Sequence, residues 1–256
     1  CRQWVRDGHQ VTVVTCAPNH PQGKVYEGYR NRIYQRETKD GINIVRVWTF
    51  VTANEGFLKR TLNYISYMCS ACIVSSFLPK ADIVLSTSPQ FFNGLAGYFV
   101  SKLRGIPWVL EIRDLWPESI VAVGAIKSPI IISLLEWIER FAYRKADRIV
   151  PVTDSFKTYM LGKGIEAGKI AVVKNGVDLA QYAPCDGASA LADELGVKGK
   201  FVVAYFGTHG MAHHLETILH AAHRVCSSKH IVFLLVGDGA ERQALVRMRD
   251  EMALTN

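Results

Sequence analysis

The segment from Trp108 to Ser119 carries the side chains best suited to chemistry. It reads Trp-Val-Leu-Glu-Ile-Arg-Asp-Leu-Trp-Pro-Glu-Ser, so a short apolar run is followed closely by Arg113, Asp114 and Glu118. Ionised side chains near a core are costly unless they are paired or used. The segment is therefore either a functional charge cluster or an Arg–Asp ion pair whose only role is to hold a loop in place.

A second segment has the composition of an anion site. Gly207-Thr208-His209-Gly210-Met211-Ala212-His213-His214 joins a short apolar run to a helical pattern. Glycines let backbone N–H groups approach an anion, and a helix N-terminus favours negative charge. Thr208, His209 and His213 could donate further hydrogen bonds to a diphosphate. Gly237-Asp238-Gly239 follows the next apolar run. A tight strand–helix turn without a ligand explains the first segment equally well and is the favoured explanation for the second.

The spacing of histidines and cysteines gives little support for a metal or redox site. His209 and His213 lie four positions apart, but no Glu completes a zinc-protease motif. Cys69-Ser-Ala-Cys72 lies in an apolar, helical run that is typical of core packing. No nucleophile motif or catalytic triad can be assigned. We therefore predict neither a metal nor a cofactor, and unpaired thiols favour a reducing cytoplasm.

The elements that must position these residues alternate along the chain. The predicted strands are Val11–Thr15, Ile83–Ser86, Val109–Ile112, Arg148–Val152 and Ala171–Val173. The predicted helices are Phe57–Phe77, Gly94–Lys102, Ile130–Lys145 and Ser155–Leu161. A hairpin is predicted around Lys39-Asp40-Gly41. Strands separated by helices imply an α/β fold with a doubly wound parallel sheet, in which ligands bind outside the carboxyl ends of the strands.

The strand–helix pattern is interrupted and then resumes in the last third of the chain, with predicted strands at Phe201–Phe206 and Ile231–Val236. Residues 178–199 contain Pro184, Gly196 and Gly199. We expect a first domain at 1–180, a linker at 181–199 and part of a second Rossmann-like domain at 200–256. A piece of about 60 residues buries little surface by itself. The chain also lacks an initiator Met, and both ends cut into patterns, so we expect the sequence to be a fragment.

Composition narrows the class of partner. The chain has 256 residues, of which 49% are apolar, and a net charge of +7, so it is expected to be globular with an anionic partner. Nucleic acid fits poorly because the basic residues are scattered.

The uncharged run Leu62–Leu78 is predicted to be a core or interfacial helix and not a membrane span. Ile130–Lys145 is amphipathic and would suit a bilayer surface.

Together these segments resemble a known family. The resemblance is carried by Gly8–Thr15, Thr87–Phe91, Glu111–Ser119, Asp147–Ser155, Asn175–Asp178, Gly207–His214 and Leu235–Gly239. The chain resembles the retaining glycosyltransferases of family 4, which have the GT-B fold of two facing Rossmann-like domains. It is similar to the branch that builds bacterial surface polysaccharides and includes the fucosamine transferases.

The resemblance implies transfer of a sugar from a nucleotide diphosphate sugar to a lipid-linked acceptor, without a metal. It implies a cytoplasmic enzyme attached peripherally to the inner face of the cell membrane. Asp114 and Arg113 would orient the acceptor hydroxyl and reacting sugar, with Glu118 in support. The acceptor would also contact Pro89, Gln90 and Trp116. The donor would bind Gly207, Thr208, His209, Gly210, His213, Gly237, Asp238 and Gly239.

This sequence departs from the family pattern in ways that leave alternatives open. His214 stands where the branch has glycine. The family's first strand would precede Cys1 and its donor-sugar region would follow Asn256, so we predict that this fragment alone is inactive although the parent protein is an enzyme. The alternatives are a GT-B epimerase acting on a nucleotide sugar, and a non-catalytic binding partner of a glycan-assembly complex.

Overall fold

The described chain divides into two parts. The computed structural model describes residues 1–19, 23–52, 57–88, 91–122, 124, 126–179, 182 and 190–256. Contacts group these residues into two compact units, Cys1–Gly176 and Val177–Asn256. Within the described part of the expected linker, Ala190–Glu194 forms a short helix. The expected domain limits at residues 180 and 199 stay a prediction.

Strands and helices alternate through the first unit, as the apolar runs and helical patterns predict. Its strands are β1 (Thr12–Cys16), β2 (Tyr34–Lys39), β3 (Ile42–Val47), β4 (Val84–Thr87), β5 (Trp108–Ile112) and β6 (Arg148–Pro151). Its helices are α1 (Arg2–Arg6), α2 (Phe57–Ser76), α3 (Phe91–Arg104), α4 (Glu118–Ala122), α5 (Pro129–Lys145) and α6 (Asp154–Gly162), with a 3-10 turn at Ala167–Lys169.

The strands of this unit pair mostly in parallel. Strand β3 lies between β1, to which it is parallel, and β2, to which it is antiparallel. Strand β5 lies between β4 and β6, and all three are parallel. The predicted hairpin and the α/β class with parallel pairing are therefore confirmed. Hydrogen bonds among the described residues form two three-stranded sheets here, where a single sheet was predicted.

The prediction of a strand at Ala171–Val173 is wrong. Ile170 forms a single bridge with Ile149 of β6. The backbone N–H groups of Ala171 and Val173 donate to carbonyls of β6 at 3.0 Å each. The segment therefore follows β6 for a short distance, but Val173 is exposed. An apolar run whose side chains are not buried gains too little to extend the pairing.

Strand β5 forms the centre of the core of the first unit. Trp108, Leu110 and Ile112 alternate as its buried side chains. Burial of each aliphatic side chain contributes about 1.5–3 kcal/mol. The Trp108 Nε1–H donates to Ser86 Oγ at 2.8 Å, so the buried indole keeps a partner. A Cβ at Gly97 would lie 2.6 Å from that Nε1, so glycine lets α3 pack closely on the sheet.

The second unit contains another strand–helix alternation. Its elements are α7 (Ala190–Glu194), β7 (Phe201–Phe206), a 3-10 turn (Met211–His213), α8 (Glu216–Arg224), β8 (Ile231–Val236) and α9 (Arg242–Glu251). Strands β7 and β8 are parallel. The buried leucines Leu215, Leu219 and Leu245 form its small core. The predicted strands at 201–206 and 231–236 are confirmed.

The structure also bears on the apolar helix α2. Within the ranges described above, no helix is both long enough and apolar enough to cross a membrane. Helix α2 packs against α3 and lies beside β1 and β3. The Tyr67 hydroxyl in this helix donates to the Val14 carbonyl of β1 at 2.9 Å.

Candidate functional site

Ser88 fixes the loop after β5 to the end of β4. Parallel pairing places the ends of these strands side by side, with Thr87 opposite Glu111. The buried Ser88 donates its backbone N–H to the Glu111 carbonyl at 3.0 Å. Its hydroxyl oxygen accepts hydrogen bonds from the backbone N–H of Arg113 at 2.8 Å and of Asp114 at 3.4 Å. One buried hydroxyl therefore holds two residues of the predicted charge cluster, and sequence reasoning assigned it no role.

Arg113 and Asp114 do not pair with each other in the part of the chain that the structure describes. The exposed Arg113 donates from Nη2 to Asn175 Oδ1 at 3.0 Å. The half-buried Asp114 accepts a hydrogen bond at Oδ2 from Ser119 Oγ at 3.2 Å. The loop-locking ion pair is thus not found among these residues. A carboxylate with one neutral donor retains acceptor capacity for a ligand hydroxyl.

The remaining residues of the predicted acceptor site are only partly described. Glu118 is exposed and begins α4. Trp116 is half-buried and precedes the buried Pro117. Pro89 and Gln90 lie outside the described residues, so their predicted contact with the acceptor stays a prediction. The structure therefore brings Arg113, Asp114, Trp116 and Glu118 into one loop and helix start.

A buried acid–base cluster joins α5 to the end of α6. Glu139 is 2% exposed, and its Oε2 accepts a hydrogen bond from Lys163 Nζ at 2.6 Å. Burial raises the pKa of Glu139, and the Lys163 ammonium opposes that rise. Burial lowers the pKa of Lys163, but hydrogen bonds with Glu139 and Tyr159 outweigh burial and raise it. The two groups therefore stabilise each other as an ion pair inside the unit.

Two tyrosines connect this cluster to the loop after β5. Burial, together with the Glu139 charge, raises the pKa of Tyr143 well above its usual range, and the Asp114 carboxylate adds to the rise. Burial raises the pKa of Tyr159 to about 12, with a contribution from Glu118. Asp114 and Glu118 are therefore within electrostatic reach of the buried cluster. Sequence reasoning missed this cluster altogether.

In the second unit the two glycine-rich segments pack against each other at the ends of β7 and β8. The backbone N–H of Gly207 donates to the Val236 carbonyl at 3.0 Å, and that of His209 to the Asp238 carbonyl at 2.9 Å. A Cβ at Gly239 would lie 2.8 Å from the carbonyl carbon of His209, so this approach requires glycine. The packing assembles five of the predicted donor residues: Gly207, His209, Gly237, Asp238 and Gly239.

The imidazole of His209 is buried without a hydrogen-bond partner. Its residue is 5% exposed, and neither Nδ1 nor Nε2 bonds to any described group. The centroid of the Tyr205 ring lies 6.2 Å from that of the His209 ring, but the Tyr205 hydroxyl donates to the Thr208 carbonyl at 2.9 Å and not to the imidazole. Unpaired buried polar atoms are costly and rare in native proteins. A polar ligand group in this glycine-lined loop would remove that cost.

The rest of the loop has groups available for an anion. The backbone N–H groups of Thr208 and Gly210 donate to no described residue. The Nδ1 atom of the exposed His213 lies 3.2 Å from the Gly210 carbonyl, so this nitrogen carries the hydrogen. In the neutral ring the Nε2 atom of His213 is then a hydrogen-bond acceptor, so it can donate to an anion only when the ring is protonated.

His214, at a position where the resemblance leads us to expect glycine, has the backbone conformation that glycine favours. Its φ of +47° and ψ of 47° are left-handed. Its Nδ1 atom lies 2.9 Å from Glu216 Oε1, and this hydrogen bond lowers the pKa of Glu216. The histidine side chain therefore makes a contact at a position where a side chain strains the backbone.

Comparison with known proteins identifies the family of the first unit. A family model described as a glycosyl transferase 4-like domain matches residues 1–176. The chain is 26% identical, over 99% of its length, to the putative colanic acid biosynthesis glycosyl transferase WcaI of Escherichia coli (strain K12), of which it covers 64%. It is 27% identical, over 71% of its length, to the Escherichia coli UDP-Gal:alpha-D-GlcNAc-diphosphoundecaprenol alpha-1,3-galactosyltransferase, of which it covers 47%. The chain thus spans less than two thirds of these relatives.

The fold has a counterpart among solved structures. Anabaena HepE in complex with UDP-glucose superposes with a TM-score of 0.56 at 19% identity, over 85% of this chain and 54% of that one. This likeness confirms the predicted GT-B class. Because the family model matches more than half of the sequence, the chain belongs to the glycosyl transferase 4-like family.

Proposed function

We propose that the full-length protein transfers a sugar from a nucleotide diphosphate sugar to a lipid-linked glycan acceptor in cell-surface polysaccharide synthesis. The match of residues 1–176 to the glycosyl transferase 4-like domain carries this proposal. The names of the relatives support it, since one specifies colanic acid biosynthesis and the other a diphosphoundecaprenol-linked acceptor. Peripheral attachment to the inner face of the cell membrane would bring the enzyme to such an acceptor.

The donor diphosphate would bind at the glycine-rich loops of the second unit. The unpaired ring nitrogens of His209 and the free backbone N–H groups of Thr208 and Gly210 support this assignment. A phosphate oxygen accepts from both kinds of donor. HepE, which shares the fold, was solved with UDP-glucose. Gly237 and Gly239 would act indirectly, by allowing the second loop to lie against the first.

The acceptor would bind at the loop after β5. Asp114 has spare acceptor capacity, and the buried Ser88 holds the backbone of both Arg113 and Asp114. In this proposal Asp114 accepts a hydrogen bond from the acceptor hydroxyl, and Arg113 with Glu118 orients the reacting sugar. Such positioning contributes to rate by holding the reacting atoms close and aligned.

The chemistry that follows needs no metal and proceeds with retention. The bond between the sugar anomeric carbon and the diphosphate oxygen breaks, and the acceptor oxygen forms the new bond on the same face. Negative charge grows on the leaving diphosphate, where backbone N–H groups and His209 would stabilise it. The departing phosphate oxygen takes the proton of the acceptor hydroxyl, so a dedicated base is unnecessary.

The test uses the full-length protein with a panel of nucleotide sugars and a membrane lipid extract. Release of nucleoside diphosphate is followed for the wild type, Asp114→Ala and the exposed control Asp82→Ala. We expect release that requires the lipid, falls about 100-fold in Asp114→Ala and is unchanged in Asp82→Ala.

Other outcomes would point to the alternatives. Isomerised nucleotide sugar formed without lipid would indicate an epimerase. Nucleotide-sugar binding without turnover of any kind would indicate a non-catalytic partner. Lipid-dependent release that is equal in Asp114→Ala and the wild type would remove Asp114 from the proposed site.

A further inference from the structure

Helix α5 is apolar on two opposite sides. Its inner side buries Leu135 and Tyr143 in the core. Its outer side exposes Ile130 (82%), Leu134 (55%) and Trp137 (59%), which follow each other at spacings of four and three residues. Residues at these spacings share one helix face. A surface helix ordinarily presents polar side chains there, so this outer stripe calls for a second partner.

The stripe continues onto α3 through a chain of ring contacts. Trp137 stacks on Phe141 with centroids 5.9 Å apart, and Phe141 meets Tyr98 of α3 at 5.1 Å. Tyr98 contacts Phe99 at 5.5 Å, and Phe99 and Leu103 are 49% and 67% exposed. We call this surface the α3–α5 face, and it consists of Phe99, Leu103, Ile130, Leu134 and Trp137.

Positive charge borders the α3–α5 face. Arg140, Arg144 and Lys145 line one open groove together with Trp137 and Phe141. Lys145 Nζ lies 6.0 Å from the Phe141 ring centroid. Lys102 adds a cation in the last turn of α3.

Little negative charge opposes these cations. The acidic residues of α3 and α5 are Glu136 and Glu139. Glu136 lies 3.9 Å from Arg140, and the buried Glu139 is paired with Lys163. The border of the face is therefore complementary to an anionic partner.

We propose that the α3–α5 face docks on an anionic phospholipid surface. The apolar side chains would enter the boundary between headgroups and acyl chains, while Arg140, Arg144 and Lys145 meet lipid phosphates. A symmetric second copy of the chain fits less well, because it would bring the same cations towards each other. This inference extends the proposed function, which requires access to a lipid-linked acceptor.

The test measures co-sedimentation of the full-length protein with vesicles, in the absence of nucleotide sugar. One set contains phosphatidylcholine alone, and the other contains phosphatidylcholine with phosphatidylglycerol. We expect binding to the anionic set only. We expect the double variants Leu134→Ser/Trp137→Ser and Arg144→Glu/Lys145→Glu each to weaken this binding at least ten-fold. Thermal unfolding and nucleotide-sugar binding verify that each variant is folded.

Matched controls take exposed residues from elsewhere in the first unit. Trp4→Ser and Arg30→Glu/Arg32→Glu change the same kinds of side chain, and we expect both to bind as the wild type does. Equal binding of the α5 variants, or no binding of the wild type to anionic vesicles, would overturn the proposal. Loss of a dimer in the α5 variants with vesicle binding intact would also overturn it, in favour of a second copy. Vesicle binding needs no sugar transfer, so its failure would leave the proposed transferase intact.

Discussion

The loop after β5 and the loop after β7 follow parallel strands in the same way, but they are built from different groups. The first is held by a side chain, since the Ser88 hydroxyl anchors its backbone, and its Asp114 carboxylate acts electrostatically on Tyr143 beside the buried Glu139–Lys163 pair. The second is held by backbone contacts that exclude side chains at Gly237 and Gly239. In the loop after β5 the Asp114 carboxylate accepts a hydrogen bond from Ser119, whereas in the loop after β7 the His209 ring nitrogens have no hydrogen-bond partner among the described residues.

This difference predicts which kind of substitution would disrupt each loop. A loop supported by side chains is weakened by removing an atom, because a buried group is then left without its partner. A loop built on close backbone approach is weakened by adding an atom, because a Cβ has no room. Four substitutions break or sharpen this contrast, and a fifth experiment tests the functional division itself.

Lys163→Met should have the largest effect. It removes the cation from the buried Glu139 carboxylate, and breaking a buried pair from one side costs about 3–5 kcal/mol. Because the pKa of Lys163 is raised, the wild-type pair should persist at neutral pH and be lost in alkaline solution, as Lys163 loses its proton; in acid it is lost as Glu139, whose pKa is also raised, takes up a proton. Urea unfolding at several pH values measures both effects.

The exposed pair of Lys198 with Asp193 supplies the control Lys198→Met, which should cost about 0–1 kcal/mol. An equal loss in both variants would contradict the support assigned to the cluster.

Gly239→Ala should separate the two loops of the second unit. Its Cβ would meet the backbone of His209, so we expect nucleotide-sugar affinity to fall about 10- to 100-fold. Calorimetric titration measures this affinity. Gly162→Ala is the control, since its Cβ would meet nothing within 4 Å, and it should bind the donor normally. Unchanged affinity in Gly239→Ala would mean that the backbone approach is unimportant for the donor.

Ser88→Ala should weaken the loop after β5 without touching the donor. Two backbone N–H groups lose their acceptor, which costs about 1–3 kcal/mol of stability. We expect the KM for the acceptor to rise while donor affinity stays constant. Ser76→Ala, on an exposed helix position, is the matched control and should be close to neutral. A selective loss of donor affinity in Ser88→Ala would reverse the assignment of the two loops.

His214→Gly should have the smallest effect and the opposite sign. Glycine takes the left-handed conformation at this position without the strain of a side chain, so the variant should gain about 1 kcal/mol. Thermal unfolding checks this gain. A loss of stability would show that the contact with Glu216 outweighs the strain.

The fold was largely predictable because its signals are local. Trp108–Ile112 and Phe201–Phe206 are short apolar runs bounded by turn residues, and both are strands. Ala171–Val173 shows the limit of this signal, because the same kind of run failed to bury its side chains and formed only a bridge. Whether an apolar run is buried depends on neighbours that are distant in the sequence.

The candidate site was predictable in its residues but not in its support. Arg113 and Asp114 stand out because charges follow a buried strand. The Ser88 hydroxyl contacts them across 25 and 26 positions, and Lys163 contacts Glu139 across 24, so none of these contacts leaves a local pattern. One signal was available: Glu139 lies on the helix face that also carries Leu135 and Tyr143, where an ionised side chain requires a partner.

The most direct test of the account compares Asp114→Asn and His209→Leu in the full-length protein, with donor affinity, acceptor-dependent kcat/KM and unfolding measured for each. We expect Asp114→Asn to keep donor affinity within about two-fold and lose about 100-fold in kcat/KM. We expect His209→Leu to be as stable as the wild type or more so, because it removes two unpaired buried nitrogens, and to bind the donor about ten-fold more weakly. Equal effects of the two variants on donor affinity, or a destabilised His209→Leu with normal affinity, would contradict the division of donor and acceptor between the two loops.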